Sequence, residues 1–349
     1  MAVFDPTQSG AASLVYATYL GGSGVDVPYG IATHNGKAYI TGSTASGDFP
    51  VANATLPSGQ GGTDMFITEL DPRQSGAASL IASGYYGGLG LDYGTSVAVD
   101  AAGFVYVAGV TYSFNLPITA APYQATAIAG GEAFLVKFAL EMPLIIYSTY
   151  LGGSGTDGAK KVLIDPAGRV AIAGYTSSAN FPITQNAYQS VLGGPNANPL
   201  VVPTNAFLSI LDLTLPPAQS LVYSTFFGGS VDEVPYSLAL DTNGTYHLGG
   251  FTLSPDLPVS QNAINSSTTR AGFDGFVALI NPGKPPLNSL LYSSYVTGPG
   301  SQIVYGVDFD ASGTVYSTGF STSNIYPAGY QPHTAGTGIA QDFIYGFKP

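Results

Sequence analysis

The chain of 349 residues contains no cysteine and no tryptophan. Disulfides, thiolate nucleophiles and Cys-ligated zinc are therefore excluded, and the largest sugar-stacking side chain is missing. Positive charge is scarce. Nine Lys and Arg stand against 21 Asp and Glu, for a net charge of −12. Phosphate backbones need Lys and Arg, so nucleic acid is not a partner this composition favours. Cations and neutral ligands suit it better. No apolar run reaches the roughly 18–20 residues that a membrane-spanning helix needs. No secretory leader is visible at the N-terminus. What is abundant is turn chemistry, with 46 Gly and 25 Pro at only 9% charged residues. That balance fits a β-protein rich in turns.

The chain repeats itself about five times. The phrase LVYATYLGGSGVDVPYG, from Leu14, returns as LIASGYYGGLGLDYGTS, IIYSTYLGGSGTDGAKK, LVYSTFFGGSVDEVPYS and LLYSSYVTGPGSQIVYG. The acidic or amide residue of each copy is Asp26, Asp92, Asp157, Glu233 and Gln302, spaced by 66, 65, 76 and 69 residues. Long repeats built from short apolar runs and glycine turns predict propeller blades, not a helical solenoid. In the first copy, Tyr29–Thr33, Lys37–Ser43, Asp64–Asp71 and Leu80–Tyr86 read as four strands divided by Gly, Pro, Asn and Asp punctuation.

The expected fold is all-β: one propeller domain over 1–349, with five four-stranded blades. A closing segment covers 1–28, and the blades cover approximately 29–91, 92–156, 157–232, 233–301 and 302–349. The last blade lacks a fourth strand, and Ser13–Leu20 is a fourth strand without a blade. Pairing the two would close the ring and remove two exposed edges. The opening MAVFDPTQSG matches the repeat interior ITELDPRQSG at Ile67, so the chain is expected to be a mature or truncated segment of something longer.

The blade phrase, with its YVTGST, FP, GGxDAF, DP and LVYSTYLGG elements, resembles the bacterial SBBP β-propeller repeat family over nearly the whole chain. The resemblance implies a propeller of an exported or surface protein, extracellular or periplasmic in origin. It implies no shared catalytic signature.

Strand alternation places the loop between strands 2 and 3, and the loop entering the next blade, at one end of the sheets. Asp26, Asp92, Asp157, Glu233 and Gln302 lie there, just before the innermost strands. If they converge on an axis, they offer hard oxygen ligands to Ca²⁺. The competing reading is that each caps its own turn. A second set, Asp64, Glu132, Asn205, Asp274 and Gln341, precedes the third strands and carries the same two readings.

Departures from the repeat mark candidate chemistry. Lys160 and Lys161 replace the usual PYG pattern, where a lysine would stabilise an oxyanion or act as base. Asp308 stands inside an innermost strand where other copies have Ala98, Leu163 and Ala239. A carboxylate buried there would need a partner and would suit a general base. The third copy also carries the longest loop at this end, from Pro182 to Phe207. His247 replaces a strand tyrosine and is expected to be a packed, hydrogen-bonded core residue.

Two functions follow. One is a Ca²⁺-dependent hydrolase of esters, lactones or phosphotriesters, with Asp308 or Glu233 activating water and Lys160 or Lys161 stabilising the oxyanion. The other is a non-catalytic carbohydrate- or protein-binding module of an exported protein. Both place a small-molecule or glycan ligand at the central channel.

Overall fold

The computed structural model describes residues 1–349 except 55, 57, 142, 194–201, 269–271 and 323–340. The fold is all-β. The described residues form six antiparallel sheets, four of them four-stranded. The chain divides into two compact units, Met1–Leu151 and Gly152–Pro349.

The first unit opens with a short pair, β1 (Ala2–Phe4) and β2 (Leu14–Ala17). Two four-stranded sheets follow. One contains β3 (Asp26–His34), β4 (Lys37–Thr44), β5 (Asp64–Leu70) and β6 (Leu80–Tyr86). The next contains β7 (Asp92–Val99), β8 (Val105–Thr111), β9 (Glu132–Ala139) and β10 (Leu144–Leu151). The second unit repeats the pattern with β11 (Asp157–Ile164), β12 (Val170–Thr176), β13 (Asn205–Leu211) and β14 (Leu221–Phe227). Then come β15 (Glu233–Leu240), β16 (Tyr246–Thr252), β17 (Asp274–Ile280) and β18 (Leu290–Val296). It ends in a three-stranded sheet of β19 (Gln302–Phe309), β20 (Val315–Ser321) and β21 (Gln341–Phe347). Each sheet is a meander in sequence order, as expected of the repeat.

The turns explain the order. Between β3 and β4, Asn35 and Gly36 both have positive φ (51° and 76°), which gives a tight two-residue hairpin. The later copies use an aspartate instead. Asp100 Oδ1 accepts the N–H groups of Ala102 and Phe104, both at 3.0 Å. Asp241 and Asp310 make the same pair of bonds in their own turns.

Every first strand carries a bulge opposite a glycine of the second strand. The residues left without a register partner are Tyr29, Thr95, Lys160, Tyr236 and Tyr305. A bulge brings the first strand's carbonyl close to its neighbour. A Cβ on Gly109 would lie 1.9 Å from Tyr93 O, and one on Gly250 would lie 2.1 Å from Val234 O. Only glycine fits there.

A tyrosine near the end of the fourth strand latches the loop between strands 2 and 3. Tyr150 Oη donates to Ser113 O and accepts from Leu116 N, both at 2.9 Å. Tyr85 and Tyr295 make equivalent pairs. Cores lie between adjacent sheets: Met65, Tyr86, Phe134 and Tyr150 belong to one in the first unit, and Phe227 and Phe276 to one in the second. Each such side chain contributes about 2–3 kcal/mol on burial.

The expected ring closure, β2 completing the β19–β21 sheet, is not among the strand pairings of the described residues. Instead β2 pairs with β1. Met1–Phe4 is itself a third-strand sequence, so the short loop favours this local partner. Tyr19, the latch position of this segment, is fully exposed.

Candidate functional site

The first strands of the second unit's three sheets adjoin in series, β11 beside β15 and β15 beside β19. At their bulges the repeat supplies Lys160, Tyr236 and Tyr305, and these three come into contact in sequence. Lys160 Nζ sits 5.3 Å from the Tyr175 ring centroid and 5.6 Å from that of Tyr236. Tyr236 and Tyr305 pack edge to face at 5.3 Å. Phe251 continues the track 6.1 Å from Tyr236, and Phe273 lies 5.8 Å beyond Phe251. The backbone beneath is fixed: Val307 N donates to Ser237 Oγ at 2.8 Å, tying β19 to β15 beside the bulges.

Exposure grades along the track. Tyr305 is 51% exposed, while Lys160, Tyr175 and Tyr236 are half-buried. Burial lowers the Lys160 pKa and that of Lys161 below the ordinary lysine value. Burial raises the Tyr236 phenol, and the neighbouring Tyr305 adds to it. An ammonium held between two aromatic rings keeps its cation–π attraction and still has N–H bonds to donate. The assembly offers aromatic faces with phenol and ammonium donors at their edges. That suits a ligand with apolar C–H faces and hydroxyl rims.

The residues expected to form an acidic ring are each engaged by hydrogen bonds of their own entry loop. Asp26 Oδ2 accepts Gly22 N at 2.8 Å and the Ser46 hydroxyl at 2.9 Å. Asp92 does the same with Gly88 N and Ser113, both at 2.8 Å. Asp157 repeats it with Gly153 N at 2.7 Å and Ser178 at 2.8 Å. Glu233 takes Gly229 N at 2.9 Å and the Thr252 hydroxyl at 2.6 Å. The Gln302 side chain accepts Gly298 N at 3.2 Å and donates to Ser321 at 3.4 Å. These bonds staple the glycine-rich entry loop, which is the turn-capping role. Among the described residues no three His, Asp or Glu side chains gather as a metal cluster.

The third-strand set meets these residues. Asn205 Nδ2 donates to Glu233 Oε2 at 2.9 Å. In the first unit the same meeting is between two carboxylates. A Cβ on Gly87 would lie 2.2 Å from Asp64 Oδ1 and 2.6 Å from Asp92 Oδ2. Burial raises both pKa values, and the Asp92 charge adds to the rise at Asp64. Burial also pushes Glu233 up to about 7.

Asp308 differs from its expectation. It is exposed, and its Oδ1 accepts its own neighbour's N–H, Phe309 N, at 2.9 Å. The bulge at Tyr305 advances the strand by one residue and reverses which side chains face inward. Val307 is buried and Asp308 is turned out. His247 is buried, 3.3 Å from Asp241 Oδ2 and packed on Phe309 at 5.1 Å. Of the long loop Pro182–Phe207, residues 194–201 lie outside the described residues.

Two segments, residues 83–117 and 146–182, match the family model SBBP, the beta-propeller repeat. The resemblance read from the blade phrase therefore holds at these two places. No curated protein matches the chain. Among solved structures, a protein of unknown function from Dyadobacter fermentans is similar at 8% identity and TM-score 0.43, over 87% of this chain and 78% of that one. A GH43_12 protein retrieved from a capybara gut metagenome gives 13% identity and TM-score 0.37, over 93% of this chain and 50% of its own. A thermostable family-43 glycoside hydrolase gives 11% and 0.36, over 88% and 86%. No helix of the described residues is long and apolar enough to cross a membrane.

Proposed function

We propose that this chain is a propeller module of an exported protein that binds a glycan on the aromatic–lysine track of its innermost strands. The observation that carries the reading is the contact series Tyr175, Lys160, Tyr236 and Tyr305. Sugar rings present C–H faces that pack on aromatic rings, and hydroxyls that take hydrogen bonds from Lys160 and the tyrosine phenols. A neutral ligand also tolerates the net charge of −12. The test is a titration of the whole chain with neutral oligosaccharides. Tyr236→Ala and Tyr305→Ala should each weaken binding about tenfold or more. Unchanged affinity in both would remove the track from the account.

A second reading is the Ca²⁺-dependent hydrolase of esters, lactones or phosphotriesters. It is favoured by the near-neutral Glu233 carboxyl and by the lowered lysines Lys160 and Lys161. In it, Asp26, Asp92, Asp157, Glu233 and Gln302 hold the ion. Asp308 or Glu233 activates water, and a lysine meets the oxyanion. Activity on chromogenic esters that disappears with EDTA would support it. Full activity in EDTA would end it.

The same proposal includes five blades closed by β2 against β21. A disulfide forming between cysteines introduced on β2 and β21 would support closure. Its absence under oxidising conditions would contradict it.

A further inference from the structure

The first unit holds a cleft of about 520 Å³ at the other end of its strands, where the β3–β4 hairpin turn meets the loops of the β7–β10 sheet. Lys37, Glu69, Arg73, Phe104 and Glu141 line it, with His34 at the turn. In a chain that is 9% charged, this is a concentration of charge. Lys37 Nζ lies 2.7 Å from Glu69 Oε1 and 3.5 Å from Glu141 Oε1. Tyr39 Oη approaches the same Glu69 oxygen at 3.4 Å. Arg73 binds Asp71 through Nε at 2.8 Å and Nη2 at 2.9 Å. Its third nitrogen, Nη1, is engaged by neither bond.

The repeat does not require these charges. Glu69 sits opposite Tyr39 and Lys137 opposite Tyr106. The same register position holds Ile210, Leu279 and Gly346 in the second unit. Glu69 is 1% exposed, so an acid has replaced an apolar residue at a buried position. Such a site needs its partners, and Lys37 and Tyr39 supply them. Lys137 Nζ, 4.2 Å from the Phe104 centroid and 3.9 Å from Asp100, forms a second such group behind the lining.

We propose that this cleft is a ligand site for a neutral, polyhydroxylated small molecule such as a monosaccharide or cyclitol. Each cation of the lining is already matched: Lys37 faces Glu69 and Glu141, and Arg73 is held by Asp71. An anionic ligand would have to draw Lys37 or Arg73 from its pair and leave buried Glu69 or Asp71 uncompensated. A neutral polyol only adds hydrogen bonds, and hydrogen bonds to ionised groups are the stronger kind. Phe104, Ala139 and Leu140 supply an apolar wall for its C–H face. The volume falls within the usual range for small-molecule sites. The inference does not rest on the aromatic track, which belongs to the second unit.

The experiment is ligand-observed NMR and titration calorimetry on the full chain. The probes are D-glucose, D-xylose and myo-inositol, with D-glucuronate and inorganic phosphate as charged comparators. At least one neutral probe is expected to bind saturably and more tightly than either comparator. Arg73→Ala and Glu141→Gln alter exposed side chains and should spare the fold. Each should weaken the neutral probe about fivefold or more, while Leu287→Ser, at an exposed residue outside both sites, leaves it unchanged. Three results would each overturn the proposal: no saturable neutral probe, tighter binding of a charged comparator, or unchanged affinity in both variants. Loss of binding in Tyr236→Ala alone would also overturn it, by moving the ligand to the track.

Discussion

The two units run the same backbone programme and spend their irregular residues at different ends of the strands. In the second unit, the bulges of β11, β15 and β19 carry Lys160, Tyr236 and Tyr305, which touch one another. In the first, the bulges of β3 and β7 carry an exposed Tyr29 and Thr95, whose hydroxyl donates to Ala108 O at 3.0 Å. At the opposite end the contrast reverses. The first unit places Glu69 and Lys137 where the second has Ile210, Leu279 and Gly346. A shared fold fixes the positions that a site can occupy. Departures from the repeat then decide which positions are used.

The comparison breaks first if the backbone programme is not shared. Gly109→Ala in the first unit and Gly250→Ala in the second each drive a Cβ to about 2 Å from a carbonyl oxygen. Each should cost about 2–3 kcal/mol or more in denaturant unfolding. A large effect in one unit and none in the other would mean the bulges are not equivalent.

The next test separates the two carboxyl arrangements. Glu233 pairs with the Asn205 amide, and its carboxyl is raised to about 7 by burial. Its folded value lies above its unfolded value, so the protonated form stabilises the fold. That contribution is complete below about pH 4.5 and is lost as pH rises towards about 7. Glu233→Gln removes the loss and should stabilise the protein by about 1–3 kcal/mol at pH 8. Gln302 holds the same position naturally. Melting curves from pH 4 to 8 check it, and a variant that parallels wild type would contradict it. In the first unit, Asp64→Asn should act in the same direction, because Asp64 faces Asp92.

The smallest effect is expected from Lys160→Met. It keeps the side-chain length and removes the cation between Tyr175 and Tyr236. Stability should fall by no more than about 1 kcal/mol. Glycan affinity should fall by more than stability does. A stability loss without an affinity loss would make Lys160 a packing residue.

Much of the fold was legible in the sequence. Gly, Asn and Asp punctuation set the strands, and the repeat set the sheets. The turn-capping reading of Asp26, Asp92, Asp157 and Glu233 was also available, because each follows a glycine-rich turn. The bulge was not. Alternation counted from the buried Gln302 and Val304 puts Asp308 inside, and one extra residue at Tyr305 turns it out. A signal existed in the five equivalent triplets PYG, GTS, AKK, PYS and VYG opposite an invariable glycine of this chain's second strands. The cleft of the first unit left a fainter trace, an acid and a lysine where the second unit has Ile210, Leu279 and Gly346. Glu69 and Lys137 are far apart in sequence, and only the neighbouring sheets bring their surroundings together.

The most direct measurement is the affinity of wild type and Tyr236→Ala for a neutral oligosaccharide panel, read by calorimetry with melting temperature as control. The account predicts a saturable ligand for wild type, and a loss of about tenfold or more in a variant that still folds. Equal affinity in a folded variant would contradict it.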